Sequence, residues 1–171
     1  MKKLLTVGTL VIGLILYSGT NANAQSFQEG DFVINGGIGL GYTYSVAAGL
    51  GLPLGGGVEY GIVDLETGSI GVGGTVGYVG GDFFNILYIG AKGSYHFNEL
   101  LEVENDDLDL YGGISILYRN FNISGTRYDF GSGIVPGFHV GTRYYFSDNV
   151  GGYAELGNSF AWLNLGVVFK L

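Results

Sequence analysis

From Phe32 onward the chain alternates between apolar and polar or small positions. Phe32, Ile34, Gly36, Ile38, Leu40 and Tyr42 form one every-other-residue set, and Leu54, Gly56, Val58, Tyr60 and Ile62 form the next. The pattern recurs in Ile70–Tyr78, Leu87–Phe97, Leu108–Tyr118, Phe138–Phe146, Val150–Leu156 and Leu163–Leu171. A period of two puts successive side chains on opposite faces of a strand, so each segment predicts one strand. A helix is a poor alternative even in the uncharged stretch 36–58. Nine of its 23 residues are glycine, each costing about 1 kcal/mol in a helix, and Pro53 adds about 3 more.

The opposite parity holds every ionisable side chain inside these strands: Glu59, Lys92, His96, Asp109, Arg119, His139, Arg143, Glu155 and Lys170. It is also rich in glycine, with Gly37, Gly55, Gly71, Gly90, Gly141 and Gly166 among others. A face that is both small and charged suits the crowded inside of a narrow tube, and the bulky apolar face then points into lipid. Tyr42, Tyr60, Tyr78, Tyr95, Phe97, Tyr118, Tyr144, Phe146 and Phe169 sit near strand ends on that outward face, as aromatic girdles do at membrane interfaces.

A tilted spanning strand needs about 9 to 11 residues. The expected fold is therefore all-β: an eight-stranded antiparallel transmembrane β-barrel, an up-and-down meander. An even strand count puts both termini on one side, expected to be periplasmic. Turns near 63–68, 98–107 and 147–149 would lie there, and connections near 43–52, 79–83, 120–133 and 158–160 would face out.

Composition refines this picture. Met1-Lys2-Lys3, an apolar run from Leu4 to Tyr17 and the small-residue site Ala22-Asn23-Ala24 have the three-part layout of a secretory signal peptide. Residues 1–24 are expected to be removed, leaving 25–171 as one outer-membrane barrel domain beginning at Gln25. That mature chain has 5 basic and 15 acidic residues, which argues against nucleic acid as a partner. With no cysteine, disulfides and thiolate metal sites are excluded, and no motif calls for a cofactor.

The run Ala91-Lys92-Gly93-Ser94-Tyr95-His96-Phe97-Asn98, followed by Leu110-Tyr111-Gly112-Gly113, resembles the outer-membrane β-barrel family of small OmpX-like and OmpA-like, porin-family proteins. The ending is similar as well: Trp162, Leu163, Leu165, Val167, Phe169 and Leu171 look like the C-terminal strand that the family's assembly machinery reads, although Leu171 stands where the family usually has Phe. The resemblance implies a monomer embedded in outer-membrane lipid, folded by that machinery. It implies little about activity, because structural proteins, adhesins, small pores and lipid-modifying enzymes share the scaffold.

Among the residues themselves, Glu59, Lys92, Arg143 and Glu155 are expected at similar height in the lumen, where two acids and two bases can form a neutral network. The plain reading is a filled, stabilised interior; the sharper one is a gate whose re-pairing opens a small water path. His96, His139 and Tyr111 face the same lumen as satisfied polar groups, with no third histidine to complete a metal site. The acidic stretch from Glu99 to Asp109 is expected to be a solvated turn; Glu104–Asp109 has oxygen ligands but lacks the glycine and terminal glutamate of a calcium loop. Ser132 and Ser159 fall in predicted outer connections without a histidine beside them, so no enzyme is expected. The longest outer connection, 120–133, carries Phe121, Arg127, Tyr128, Asp129 and Phe130, the best candidates for contact with an external ligand. The expected role is thus a non-enzymatic envelope barrel with structural or narrow-permeability function. A surface-binding barrel using the 120–133 loop is the alternative, and a lipid-modifying enzyme a more distant one.

Overall fold

The computed structural model of the protein describes residues 27–41, 51–81, 84–123 and 131–171. The expected signal peptide 1–24 and Arg127, Tyr128, Asp129 and Phe130 lie outside the described residues. Eight strands run in order: β1 (Phe32–Leu40), β2 (Leu54–Leu65), β3 (Gly68–Val79), β4 (Phe84–His96), β5 (Leu108–Ile123), β6 (Gly133–Ser147), β7 (Val150–Gly157) and β8 (Leu163–Lys170). Each pairs antiparallel with the next, and β1 pairs with β8 from Val33↔Lys170 to Leu40↔Leu163, closing the barrel. The strand ends near Phe32 and Lys170 share one rim, called here the terminal end; the opposite rim is the loop end.

The two faces have the polarity that the alternation predicts. Ile114, Ile116, Ile134, Phe146 and Ile89 are exposed on the outside, while Asp109, Arg143, Glu59 and His96 are buried within. Such a surface is stable against hydrocarbon and unstable against water, because apolar groups face out and every buried charge must find its partner inside. Glycine on the inner face makes the arrangement possible. A Cβ on Gly141 would come within 2.6 Å of the Tyr111 ring, and one on Gly55 within 2.5 Å of the Phe160 ring.

Strand limits differ from the expected ones in ways that have local causes. The β2–β3 hairpin is tighter than expected, turning through Glu66 and Thr67 into Gly68 at φ +149. A bulge between Gly61 and Val63 breaks the period of two just where the alternation fades. Gly41 adopts φ +73 and ends β1 two residues early.

The largest departure is at 120–133. This segment is strand at both ends, with β5 reaching Ile123 and β6 starting at Gly133. Its apolar pattern lapses at Asn120 and Asn122, which continue the outward set beyond the apolar belt. Pro136 is accommodated within β6 because its missing N–H lies on the β7 side, beyond the last β6–β7 pair, His139↔Gly157.

The outward face generates a depth-dependent prediction. Replacing Ile114 with Arg should destabilise the barrel in lipid vesicles by about 2 to 4 kcal/mol, whereas Arg at exposed Leu65 near the terminal rim should cost about 0 to 1. Denaturant unfolding of the two variants measures the difference.

Candidate functional site

The charged residues expected in the lumen come together. Arg143 of β6 is the hub: its guanidinium contacts Glu59 across the barrel and donates to Asp109 Oδ2 at 3.0 Å. Lys92 of β4 lies 3.7 Å from Glu59 Oε2 and 3.6 Å from Glu155 Oε2. Tyr111 donates to Glu155 Oε2 at 3.2 Å and presents its ring 4.4 Å from the Arg143 guanidinium carbon. His96 has its Nδ1 2.7 Å from Asp109 Oδ1 and its Nε2 3.5 Å from Glu59 Oε1. His139 sits one layer toward the loop end, its Nε2 3.0 Å from Ser94 Oγ.

Local sequence explains these meetings. Asp109 and Arg143 are direct register partners on β5 and β6, so their side chains enter the lumen side by side. Glu59 is flanked on β3 by Gly71 and Gly73, and a Cβ on Gly71 would lie 2.7 Å from Glu59 Oε1. Glycine on one strand thus clears the path for a long side chain from its neighbour.

The charge count is informative. Glu59, Asp109 and Glu155 carry three negative charges against the two positive charges of Lys92 and Arg143. His96, with each ring nitrogen facing a carboxylate, brings the sum to zero when it carries both protons. Asp109 is the member that sequence reasoning missed. Its place at the end of the acidic stretch suggests a solvated turn, yet its parity matches Tyr111 and it is fully buried. Glu99, Glu102, Glu104 and Asp106 do lie exposed in the connection. Among the described residues no group of three or more His, Cys, Asp or Glu is disposed to hold a metal.

Two apolar layers close the lumen above and below the charges, and neither was foreseen. At the loop end, Phe160 and Ala161 of the β7–β8 connection fold inward against Val79, Ile86 and Tyr88. That connection, expected to be a short outer loop at 158–160, spans 158–162 and works as an internal plug; Ser159 within it accepts a hydrogen bond from Asn164 at 3.2 Å. At the terminal end, Phe27 enters the barrel from before β1 and packs with Val33, Tyr145 and Val168. Its ring stacks on His96 at 3.9 Å and 17°. Alternation cannot find Phe27 or Phe160, because neither belongs to a strand.

Of the candidate outer contacts, Phe121 is placed on β5 and not in a loop. It points inward, partly buried against the Phe160 cluster, with the Arg119 guanidinium carbon 5.1 Å from its ring and its N–H donating to Ser132 Oγ at 3.0 Å. At the start of β8, Trp162 is exposed and donates through its N–H to Gly41 O. Phe169 pairs with Ile34 and Val150, and Leu171 donates to Phe32 O. The three residues expected to form an assembly signal therefore all lie along the closing seam.

No family model matches this chain, and no curated protein matches it. Solved structures do. The chain is similar to the N-terminal β-barrel domain of Pseudomonas aeruginosa OprF, with TM-score 0.58, 17% identity, and 85% of this chain and 100% of that one covered. It is similar to the P. aeruginosa outer membrane protein OprG, with TM-score 0.55, 12% identity and coverage of 87% and 99%. The Yersinia pestis outer membrane protein Ail gives TM-score 0.51, 12% identity and coverage of 84% and 100%. At these identities the likeness is one of fold: a small transmembrane eight-stranded β-barrel.

Truncating one member of the network strands the charges it served. Arg143→Ala should destabilise the barrel by about 3 to 5 kcal/mol, while Lys92→Met, which removes a more peripheral cation, should cost less. A double-mutant cycle of Arg143→Ala with Asp109→Asn, read by unfolding in vesicles, should give coupling of about 1 kcal/mol or more, as expected for residues in one ion-pair network.

Proposed function

We propose that this chain is a non-enzymatic integral outer-membrane barrel that serves as a structural element of the envelope and passes solutes only narrowly. The observation that carries this reading is the filled lumen. Six ionisable side chains and Tyr111 occupy its middle, Phe160 closes one end and Phe27 the other. Small eight-stranded barrels have interiors just wide enough for side chains to fill. Passage would require Arg143 to exchange Glu59 or Asp109 for another acid, Glu155 being the one nearest Lys92 and Tyr111. The likeness to the outer membrane proteins OprG and Ail supports the outer membrane as the location; the closed eight-strand meander brings both ends of the barrel to one rim, which this reading assigns to the periplasmic side.

One feature favours a second reading, that of a surface-binding barrel. β5 and β6 have 16 and 15 residues whereas β7 and β8 have 8 each, so their hairpin stands above the rim on one side. Beside it a cavity of about 220 Å³ opens between Tyr88, Leu117, Arg119, Asn158 and Trp162. The mouth of a barrel is a usual place for a ligand. A lipid-modifying activity fits less well, since the Ser94–His139 contact is sealed in the lumen, both residues being under 7% exposed.

Planar-bilayer recording tests the permeability reading. The parent barrel should show rare, small openings, and Arg143→Ala should raise open probability and conductance; identical currents in both would remove the gate. Expression should leave the mass of lipid A unchanged, and a shifted mass would overturn the non-enzymatic reading.

A further inference from the structure

The layer beneath Phe27 is unusual in its unmet hydrogen bonding. Arg143 Nε and Tyr145 Oη are buried and make no hydrogen bond, and Glu59 Oε1 and His96 Nε2 have only each other, at a long 3.5 Å. These four atoms belong to the charged layer at the terminal end or to the apolar cluster that covers it, and Phe27 lies over them. Its ring stacks on His96, the Arg143 guanidinium carbon is 5.6 Å from it, and it packs against Tyr145. Buried polar atoms without partners raise the free energy of the closed state, and water reaching them would lower it.

What holds Phe27 in place is local and lies outside the barrel's ladder. Ser69 Oγ donates to Phe27 O, Asp31 Oδ2 accepts from Gln28 N at 3.0 Å, and Lys170 Nζ pairs with Asp31 Oδ2 at 2.8 Å. Glu29 N donates to Asp64 Oδ1 at 2.7 Å, and Gly30 N to Gly61 O at 3.0 Å. Gly30 has φ +91, a conformation that glycine adopts without strain, and it separates Phe27 from the first strand residue. A swing at Gly30 releases its N–H from Gly61 O but leaves the Gly61 N–H bond to Asp31 O and every β1–β2 pair, which begin at Phe32↔Tyr60, in place.

We propose that Phe27–Glu29, hinged at Gly30, is a stopper: when it withdraws, the layer of Glu59, His96, Arg143 and Tyr145 becomes a hydrated antechamber open to the terminal end. The closed state is held by burial of one aromatic ring, by the buried Ser69–Phe27 bond and by two more accessible bonds at Gln28 and Glu29, and the open state by hydration of Arg143 Nε, Tyr145 Oη and the Glu59–His96 contact. The stopper makes access to the lumen asymmetric, because the loop-end plug of Phe160 and Ala161 is part of the connection between two strands and has no comparable hinge. This inference builds on the narrow-lumen reading above and assigns the terminal-end barrier to the segment before β1, in place of the ion pairs.

The chain has no cysteine, so one introduced thiol reports alone. Val33, wholly buried and packed with Phe27, is replaced by the similarly sized cysteine in the folded full barrel, and its rate of modification by a small water-soluble charged thiol reagent is measured. Val33→Cys alone should react slowly. Adding Phe27→Ala should speed the reaction about tenfold or more, the effect of losing one buried aromatic ring, and adding Phe27→Leu should change it little. Adding Asp31→Asn, which weakens the Lys170 ion pair and the carboxylate that accepts from Gln28 N at the terminal rim, should give a smaller rise and serves if Phe27→Ala does not fold.

Equal rates in all folded variants, judged by heat-dependent gel mobility, would overturn the stopper; so would rapid reaction of Val33→Cys by itself. Conductance of the same variants separates the two proposals. Faster labelling with silent bilayers keeps the stopper and removes the permeability reading, whereas unchanged labelling with Arg143→Ala channels does the reverse.

Discussion

A guanidinium buried in a tube spanning a membrane has nowhere to send its charge except to the opposite wall. Arg143 is fully enclosed, and its partners come from two other strands: Glu59 on β2, Asp109 on β5 and the face of Tyr111, also on β5. The contact with Glu59 joins non-adjacent strands, β6 and β2, through the centre of the barrel, which the hydrogen-bonded ladder, running only from neighbour to neighbour, cannot do. Lys92 and His96 then fill the places that the three carboxylates leave. An isolated charge at this depth is far too costly to remain unpaired, so each member fixes the identity of the next.

Glycine is the second half of the same constraint. In a soluble protein, glycine within strands weakens them; here it marks where a neighbour's long side chain must cross the lumen. Gly71 makes room for Glu59, Gly141 for Tyr111, and Gly55 and Gly77 for Phe160. The inner wall is therefore assembled from unequal pairs, a large residue against none. The outer wall needs no such matching because lipid adapts to its shape.

The strand order, the face polarity and the meeting of Glu59, Lys92, Arg143, Glu155, His96 and Tyr111 were legible from parity alone, because one charge on the wrong face of a membrane strand is expensive enough to be excluded. Parity was equally clear at Asp109, but proximity to five other acids suggested solvent. The inward apolar residues were not legible. Val33, Tyr145 and Val168 at one end, and Val79, Ile86 and Tyr88 at the other, share parity with the charges and were obscured by them. The ends of β5 and β6 were lost because sequence alternation reports contact with lipid, and strand pairing continues beyond it. Phe27 and Phe160 carry no periodic signal at all, since their positions follow from a hinge and a connection.

The step between tall β6 and short β7 would ordinarily leave an unfinished seam. Asn158 finishes it: its backbone N–H donates to Phe138 O, its Oδ1 accepts from Phe138 N at 2.7 Å, and its Nδ2 donates to Pro136 O. One side chain stands in for the missing stretch of strand, and proline removes the next donor from contention. The wall can therefore change height abruptly without offering neighbouring molecules a sticky border. The projecting ends of β5 and β6 are in this sense a module, free to lengthen, shorten or change sequence while the cylinder that carries them stays the same.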